Sequence, residues 1–246
     1  MDEVFILKNC MQENPYHLFF YMIAQLKPFD DRGQGIKPVH YYYPKTQCVL
    51  AEAALDNLPS RFIRELELRS NCKYVESTFE RIERIHLSDE SWIFQYIRDL
   101  YKHIWSEFKQ IKGKYTYISR SKAHVRRITN ESEVLEGLEK LGIIVYWMED
   151  LTFIDQIKLF AESELITGPH GAAYSFAIFS SPKTTLYEIY RADNIKGHYP
   201  ILANECRLTY MRYFGVEHYN ETNQDMTIDV ETYLNSLEGI ILFLTV

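Results

Sequence analysis

Apolar positions along the 246-residue chain follow two regimes. Over roughly residues 1–110 they recur mostly at helical spacing. Between His17 and Leu26 they stand at 18, 19, 22, 23 and 26. Pro59 is placed for the first turn of a helix whose inward residues are Phe62, Ile63, Leu66 and Leu68. The longest stripe is Trp92, Ile93, Tyr96, Ile97, Leu100, Tyr101, Ile104, Trp105 and Phe108. It predicts a helix over about 90–110, capped by Ser88 or Asp89, and an aromatic stripe of this kind reads as core packing. Val39 to Tyr43 and Cys48 to Leu50 read as strands.

The second regime alternates short apolar runs with amphipathic stretches. Tyr115 to Ser119 reads as a strand. Asn130 caps a helix with Glu133 at the third position and Val134, Leu135, Leu138 and Leu141 on one face, ended by Gly142. Ile143 to Met148 is a continuous apolar run, as expected of a strand buried on both faces. Thr152 caps a helix with Phe153, Ile154, Ile157 and Phe160 inward. Leu165 to Thr167 and Thr185 to Ile189 are further strands, with Gly168-Pro169-His170-Gly171-Ala172-Ala173 opening a helix between them. Strand and helix alternate, which implies a parallel sheet covered by helices. Such sheets bind ligands at the carboxyl ends of their strands. Two lobes are therefore expected, meeting near Gly113.

Composition narrows the function. The chain is 46% hydrophobic and 15% aromatic, with net charge −7 from 27 Lys+Arg and 34 Asp+Glu. A folded acidic chain of this kind does not suit broad binding to duplex nucleic acid. No apolar stretch approaches the ~20 residues of a membrane span, and the start does not read as a signal peptide. The expected chain is soluble and cytoplasmic. The four cysteines, Cys10, Cys48, Cys72 and Cys206, make no C-x-x-C pair and read as buried thiols of a reducing compartment. Ile240 to Val246 reads as a segment that docks a last helix or strand.

Against this acidic background, Phe108 to Asn130 carries Lys109, Lys112, Lys114, Arg120, Lys122, Arg126 and Arg127 and no Asp or Glu. Arg120 falls just past a predicted strand end, and forked guanidinium donors match phosphate oxygens. As a charge run alone, the island is equally a solvated loop. The Gly168–Ala173 element lets backbone approach a ligand, and the helix it opens presents unpaired N–H groups to a pyrophosphate. His170 can donate to the same group; the alternative is a tight turn that needs glycine for packing. Glu188 could accept from ribose hydroxyls, or face solvent on an edge strand. His17, in Asn14-Pro15-Tyr16-His17, could act as a general base or simply pack at a helix start. There is no D-x-D, no G-x-S-x-G and no P-loop in the chain. A bound diphosphate would have to be neutralised by side-chain cations and a helix start.

Tyr117-Ile118-Ser119-Arg120, Arg126-Arg127-Ile128-Thr129-Asn130-Glu131, Glu149-Asp150-Leu151-Thr152-Phe153 with Gln156, Gly168-Pro169-His170-Gly171-Ala172 and Tyr187-Glu188-Ile189 together resemble glycosyltransferase family 61. The resemblance covers about 115–215. It implies an α/β, GT-B-like fold of two Rossmann-like lobes: an acceptor-side lobe over 1–112, a nucleotide-sugar lobe over 113–230 and a docking segment over 231–246. It implies inverting transfer of a pentose such as xylose, or of N-acetylglucosamine, from a UDP-sugar to a hydroxyl of a glycan or glycoprotein. It implies no cofactor and no metal. The implied donor contacts are Arg120, Lys122, Arg126, Arg127, Asn130 and Glu149 from the cationic stretch and its neighbour. Gly168, His170, Gly171, Ala172, Ala173 and Glu188 complete them. His17 is the implied base, with Asp30 or Asp31 as the second candidate. The family's acid four residues after that His is replaced by Tyr21. Two rivals follow: an inactive sugar-nucleotide-binding module, and an unrelated phosphate-ligand protein. The family's eukaryotic members are usually anchored in the secretory pathway, whereas this chain reads as a bacterial or large-DNA-virus enzyme, or an excised domain.

Overall fold

The computed structural model describes residues 2–7, 14–32, 37–68, 70–76, 92–191 and 198–245. Cys10 and the expected caps Ser88 and Asp89 lie outside them. The chain divides into two units, Met1–Ser106 and Glu107–Val246.

In the first unit four strands form a parallel sheet in the order β3-β2-β1-β4: β1 (Asp2–Ile6), β2 (Val39–Tyr42), β3 (Phe62–Glu65) and β4 (Cys72–Glu76). The helix expected from His17 starts earlier and runs through several geometries. Asn14 caps α1 (Pro15–His17) by accepting from the N–H of Tyr16 at 2.9 Å. A π segment (Leu18–Met22), a 3₁₀ turn (Ile23–Leu26) and α2 (Lys27–Arg32) follow without a break. Leu18 to Leu26 are all buried, so burial rather than regular helical pairing holds this path.

Two expectations here are corrected. Cys48 to Leu50 is not a strand: Cys48 is the N-cap of α3 (Val49–Asp56), and Val49 is 82% exposed. The three-residue apolar run is outweighed by Ala51, Ala53, Ala54 and Leu55, strong helix formers. The stretch after Pro59 is not a helix. Phe62 is buried while Ile63 is exposed, and β3 pairs with β2 from Val39–Phe62 to Tyr42–Glu65. The apparent stripe through Leu66 and Leu68 falls on exposed residues. The long aromatic helix is present as two pieces, α4 (Trp92–Leu100) and α5 (Lys102–Trp105). They part at Tyr101, whose buried hydroxyl donates to the Ala54 carbonyl at 2.9 Å.

The second unit holds five parallel strands in the order β6-β5-β7-β8-β9. They are β5 (Tyr115–Ile118), β6 (Ile144–Tyr146), β7 (Leu165–Pro169), β8 (Thr185–Ile189) and β9 (Thr209–Tyr213). Between them run α6 (Glu131–Lys140), α7 (Phe153–Glu162), a 3₁₀ helix (Ala172–Phe179) and α8 (His198–Glu205). Thr152 caps α7 by accepting from the N–H of Asp155. β6 is an edge strand with Ile144 52% exposed, so the expectation of burial on both faces fails there. Ile154, expected inward on α7, is 41% exposed. Asn130 stands at the N-cap of α6 but makes no side-chain cap. Its amide instead pairs with the backbone of Ile228.

After β9 come an antiparallel pair, β10 (Val216–Tyr219) and β11 (Met226–Ile228), and α9 (Val230–Thr245). Tyr233, Leu237 and Ile240 of α9 enter the core with Val134 and Leu138 of α6. The Tyr233 hydroxyl lies 2.6 Å from that of Thr167, and its ring stacks on Tyr187. Among the described residues, no helix is long and apolar enough to cross a membrane. Cys48 and Cys72 are half-buried and Cys206 is buried.

Candidate functional site

The order of the second sheet reverses direction between β5 and β7, and the crevice outside the strand ends at such a reversal is where ligands bind in open α/β sheets. Two glycines shape it. Gly168, the penultimate residue of β7, has φ +142°, where a Cβ would lie 2.5 Å from the Ile118 carbonyl oxygen. Only glycine fits that conformation beside β5. At Gly171 the backbone is extended, but a Cβ would lie 2.2 Å from Nη1 of Arg120. Arg120, just past β5, thus lays its guanidinium on the backbone of Gly171, where the 3₁₀ helix begins.

The seven cations of the basic stretch separate into distinct groups. Lys114 pairs with Glu162 at 2.7 Å. Lys122 pairs with Asp150 and lies over the Trp147 ring. Arg127 forms a two-pronged pair with Asp225, Nη2 at 2.6 Å and Nε at 3.0 Å, and its N–H also donates to that carboxylate at 2.9 Å. Lys109 and Lys112 are exposed. Arg120 and Arg126 remain: among the described residues neither forms an ion pair. Among those residues Arg120 donates only to the Val125 carbonyl, at 3.1 and 3.3 Å, and the buried Nε of Arg126 meets no hydrogen-bond partner. Burial, with the like charge of Arg126 adding to it, pushes the Arg120 guanidinium down to about 10. Two partly buried guanidiniums that repel each other form a place where an anion gains and the protein is relieved.

The loop that carries them is strained and tied down. Arg126 has φ +61°, unusual for a residue with a side chain. Its N–H donates to the Asn223 carbonyl at 3.0 Å. Arg127 is held by Asp225, Thr129 by Met226 and Asn130 by Ile228, so residues 126–130 hang on the segment 223–228. Below the loop, buried Glu131 accepts from Tyr117 Oη and Ser119 Oγ, both at 2.9 Å. Glu149 is exposed, and its charge acts on Arg120 from the β6 side. Ala172 and Ala173 form the first turn of the 3₁₀ helix and are half-buried.

Gly168, Glu188 and Arg212 stand in register across β7, β8 and β9. Glu188 is only 1% exposed, on an interior strand rather than an edge. His170 Nδ1 lies 2.5 Å from its Oε1, and the Tyr210 hydroxyl donates to its Oε2. Arg212 Nε in turn donates to the Tyr210 hydroxyl at 3.0 Å. Glu188, expected to receive ribose hydroxyls, therefore has both oxygens engaged within the chain. The His170 ring meets Tyr190 edge-on at 4.6 Å and Tyr199 at 5.4 Å. Tyr199 and Tyr174 donate to the carbonyls of Gly171 and Gly168 at 2.8 and 3.0 Å, fixing the glycine turn from outside. Sequence reasoning missed Tyr199, Tyr210 and Arg212. Tyr199 arrives on α8 against Gly171 and His170, while the register of a fifth parallel strand, β9, brings Tyr210 and Arg212 to Glu188.

The first unit holds the candidate bases. His17 is half-buried at the end of α1, its ring 4.8 Å from that of Tyr21. Asp30 is buried and accepts both Nε and Nη2 of Arg61 at 2.9 Å, and Asp31 pairs with Lys27. Both acids are thus held by cations. Among the described residues no three His, Cys, Asp or Glu gather as a metal cage requires.

The model of the family Glycosyltransferase 61 matches residues 16–187, well over half of the chain. The EGF domain-specific O-linked N-acetylglucosamine transferase of Canis lupus familiaris is 26% identical over 116 residues, 45% of this chain and 20% of that protein. The beta-1,2-xylosyltransferase of Arabidopsis thaliana is 27% identical over 97 residues, 34% of this chain and 18% of that protein. The aligned stretch thus spans about a fifth of these curated relatives. Among solved structures, E. coli heptosyltransferase WaaC with ADP-2-deoxy-2-fluoro heptose superposes with a TM-score of 0.50 at 9% identity, covering 98% of this chain and 99% of that one. That is a likeness of fold, and it agrees with the expected α/β, GT-B-like class of two parallel-sheet lobes. On the span of the family match, the chain belongs to the glycosyltransferase 61 family.

Proposed function

We propose that the chain is a glycosyltransferase that moves a sugar from a UDP-sugar to a hydroxyl of a glycan or glycoprotein, with inversion and without a divalent metal. The observation that carries this reading is the Arg120–Arg126 pair, two cations without a carboxylate partner among the described residues, with Arg120 laid against Gly171 at the strand-order reversal. In a single displacement, charge develops on the departing diphosphate. Donors already in place there act on the transition state without reorganising. Arg120, Arg126 and His170 supply those donors, together with the start of the 3₁₀ helix. The relatives' names, an N-acetylglucosamine transferase and a xylosyltransferase, support N-acetylglucosamine or xylose as the sugar. For the acceptor's proton we assign His17, a half-buried imidazole at the end of α1. Asp30 and Asp31 are already engaged by the side chains of Arg61 and Lys27.

The test is donor turnover over a panel of UDP-sugars, with and without EDTA, alongside UDP affinity of the wild type and Arg120→Ala. Turnover that survives EDTA, and at least a tenfold loss of UDP affinity in the variant, are expected. Full dependence on a divalent ion removes the metal-free part, and unchanged affinity in Arg120→Ala removes the site. Tyr21 at the family's acid position favours a second reading, a sugar-nucleotide-binding module: UDP would bind but no sugar would transfer.

A further inference from the structure

We propose that Tyr210 and Arg212 are positioning residues which, through Glu188, hold His170 short of full charge, so that the imidazole takes up its proton as the donor diphosphate arrives. This rests on the reading of the second unit as a UDP-sugar site and assigns a role to two β9 residues that reading does not use.

The geometry is a directed chain. An ionised carboxylate only accepts hydrogen bonds, so Glu188 Oε1 at 2.5 Å fixes the proton of neutral His170 on Nδ1. That leaves Nε2 as the second protonation position. The other carboxylate oxygen takes the Tyr210 hydroxyl, which itself takes Arg212 Nε. A carboxylate that faces only an imidazole favours imidazolium strongly. A carboxylate that also receives a tyrosine hydroxyl, backed by a guanidinium, spreads its charge over both and favours imidazolium less. Arg212 further repels a second cation across the network. Burial and the charge of Glu188 hold the Tyr210 hydroxyl well above its usual range, so it stays a donor.

Described groups face His170 from several elements. They are Glu188 of β8, Tyr190 just beyond it, Tyr199 of α8, Tyr174 of the 3₁₀ helix, Tyr210 and Arg212 of β9, and Arg120 against Gly171. The acid among these described groups is Glu188. A diphosphate brings fresh negative charge to the ring, and a proton from bulk water then settles on the imidazole. No bond of the donor changes in this step, and the proton returns to water when the product leaves. The anion is thus met by a cation that exists only while it is needed. A permanent third charge beside Arg120 and Arg126 would add to their repulsion.

The experiment has two arms. The His170 imidazole is titrated by NMR in ligand-free wild type, Tyr210→Phe and Arg212→Gln, its signal assigned with His170→Gln. The midpoint is expected to rise in both variants, by on the order of one pH unit. An unchanged midpoint in both folded variants overturns the proposal. Should Tyr210→Phe fail to fold, Arg212→Gln alone carries the decision, since it keeps the tyrosine. In the second arm, affinities for UDP-xylose and UDP-N-acetylglucosamine are followed over the same pH range. In the wild type, affinity is expected to fall as pH rises, with net proton uptake on binding, and each variant is expected to keep its affinity to higher pH. A uniform loss at all pH values means a merely structural role and overturns the proposal. Failure of both sugars to bind wild type at any pH, with the midpoint still shifting, removes the donor reading and leaves the relay standing.

Discussion

Gly171→Ala isolates the contact between the glycine turn and Arg120. The new methyl carbon would stand 2.2 Å from Arg120 Nη1 and 3.1 Å from its Cζ, far inside any contact distance. The obstacle is the end of a flexible side chain, and Gly171 is extended, with φ −173°. The backbone accepts alanine there, and it is the guanidinium that must leave. The fold should lose less than about 1 kcal/mol. The site should lose the arginine's hydrogen bonds to phosphate, about 1.5–3 kcal/mol, or roughly ten- to a hundredfold in UDP affinity. Gly168→Ala is the contrast. It combines a left-handed φ with a Cβ 2.5 Å from a backbone carbonyl that cannot swing away. It should cost about 2–4 kcal/mol of stability, a fall in Tm on the order of 10 °C. Calorimetric titration with UDP and thermal unfolding of both variants make the assay. If Gly171→Ala keeps UDP affinity within threefold, or loses it only along with the fold, Arg120 is not the phosphate contact that its packing indicates.

Arg126→Asn should hold or raise Tm, by about 1–3 °C, because asparagine tolerates positive φ and the repulsion with Arg120 disappears. The same change should weaken UDP at least tenfold; a lower Tm with unaltered affinity contradicts both halves. Glu131→Ala leaves the buried hydroxyls of Tyr117 and Ser119 short of an acceptor and should cost about 2–3 kcal/mol in urea unfolding. A loss below about 0.5 kcal/mol counts against that account. Burial works to raise the Asp225 carboxyl, but the hydrogen bonds and charge of Arg127 prevail and hold it below the usual range. An acid with a lowered folded pKa gives stability that is present above its unfolded value, about 3.9, and is lost as pH falls. Tm of the wild type should therefore drop more steeply below about pH 4 than that of Asp225→Asn, and parallel acid limbs would refute this.

The parallel β/α alternation of the second unit was legible because its strands are short apolar runs set between amphipathic stretches, and Thr152 and Gly142 mark helix ends by local chemistry. The first unit was less so. Val49 and Leu50 look like a strand start in isolation, and only the alanines beyond them decide for a helix. Phe62, Ile63, Leu66 and Leu68 mimic a helical face although only Phe62 is buried. In the site, His170 and Glu188 stood out individually, yet nothing in their spacing of 18 residues tells that they touch. The basic stretch was legible as a charge excess. Which cations are available depends on partners far away in sequence, such as Glu162 for Lys114 and Asp225 for Arg127. Tyr210 and Arg212 were not picked out, because β9 was not among the strands read from the sequence and its pairing with β8 is what brings them to Glu188.

The ties between residues 126–130 and 223–228 span about 98 positions of chain. Contacts of that separation must offset a large loop-closure entropy before they stabilise anything, so they form late. During synthesis the glycine turn and its strands can assemble while the β10–β11 segment is still unmade. Until that segment arrives, the Arg126 N–H lacks the Asn223 carbonyl that it meets in the folded unit. The second unit can thus reach its sheet before residues 126–130 are tied down, and on the proposed reading affinity for UDP should be the last property a nascent or refolding chain acquires.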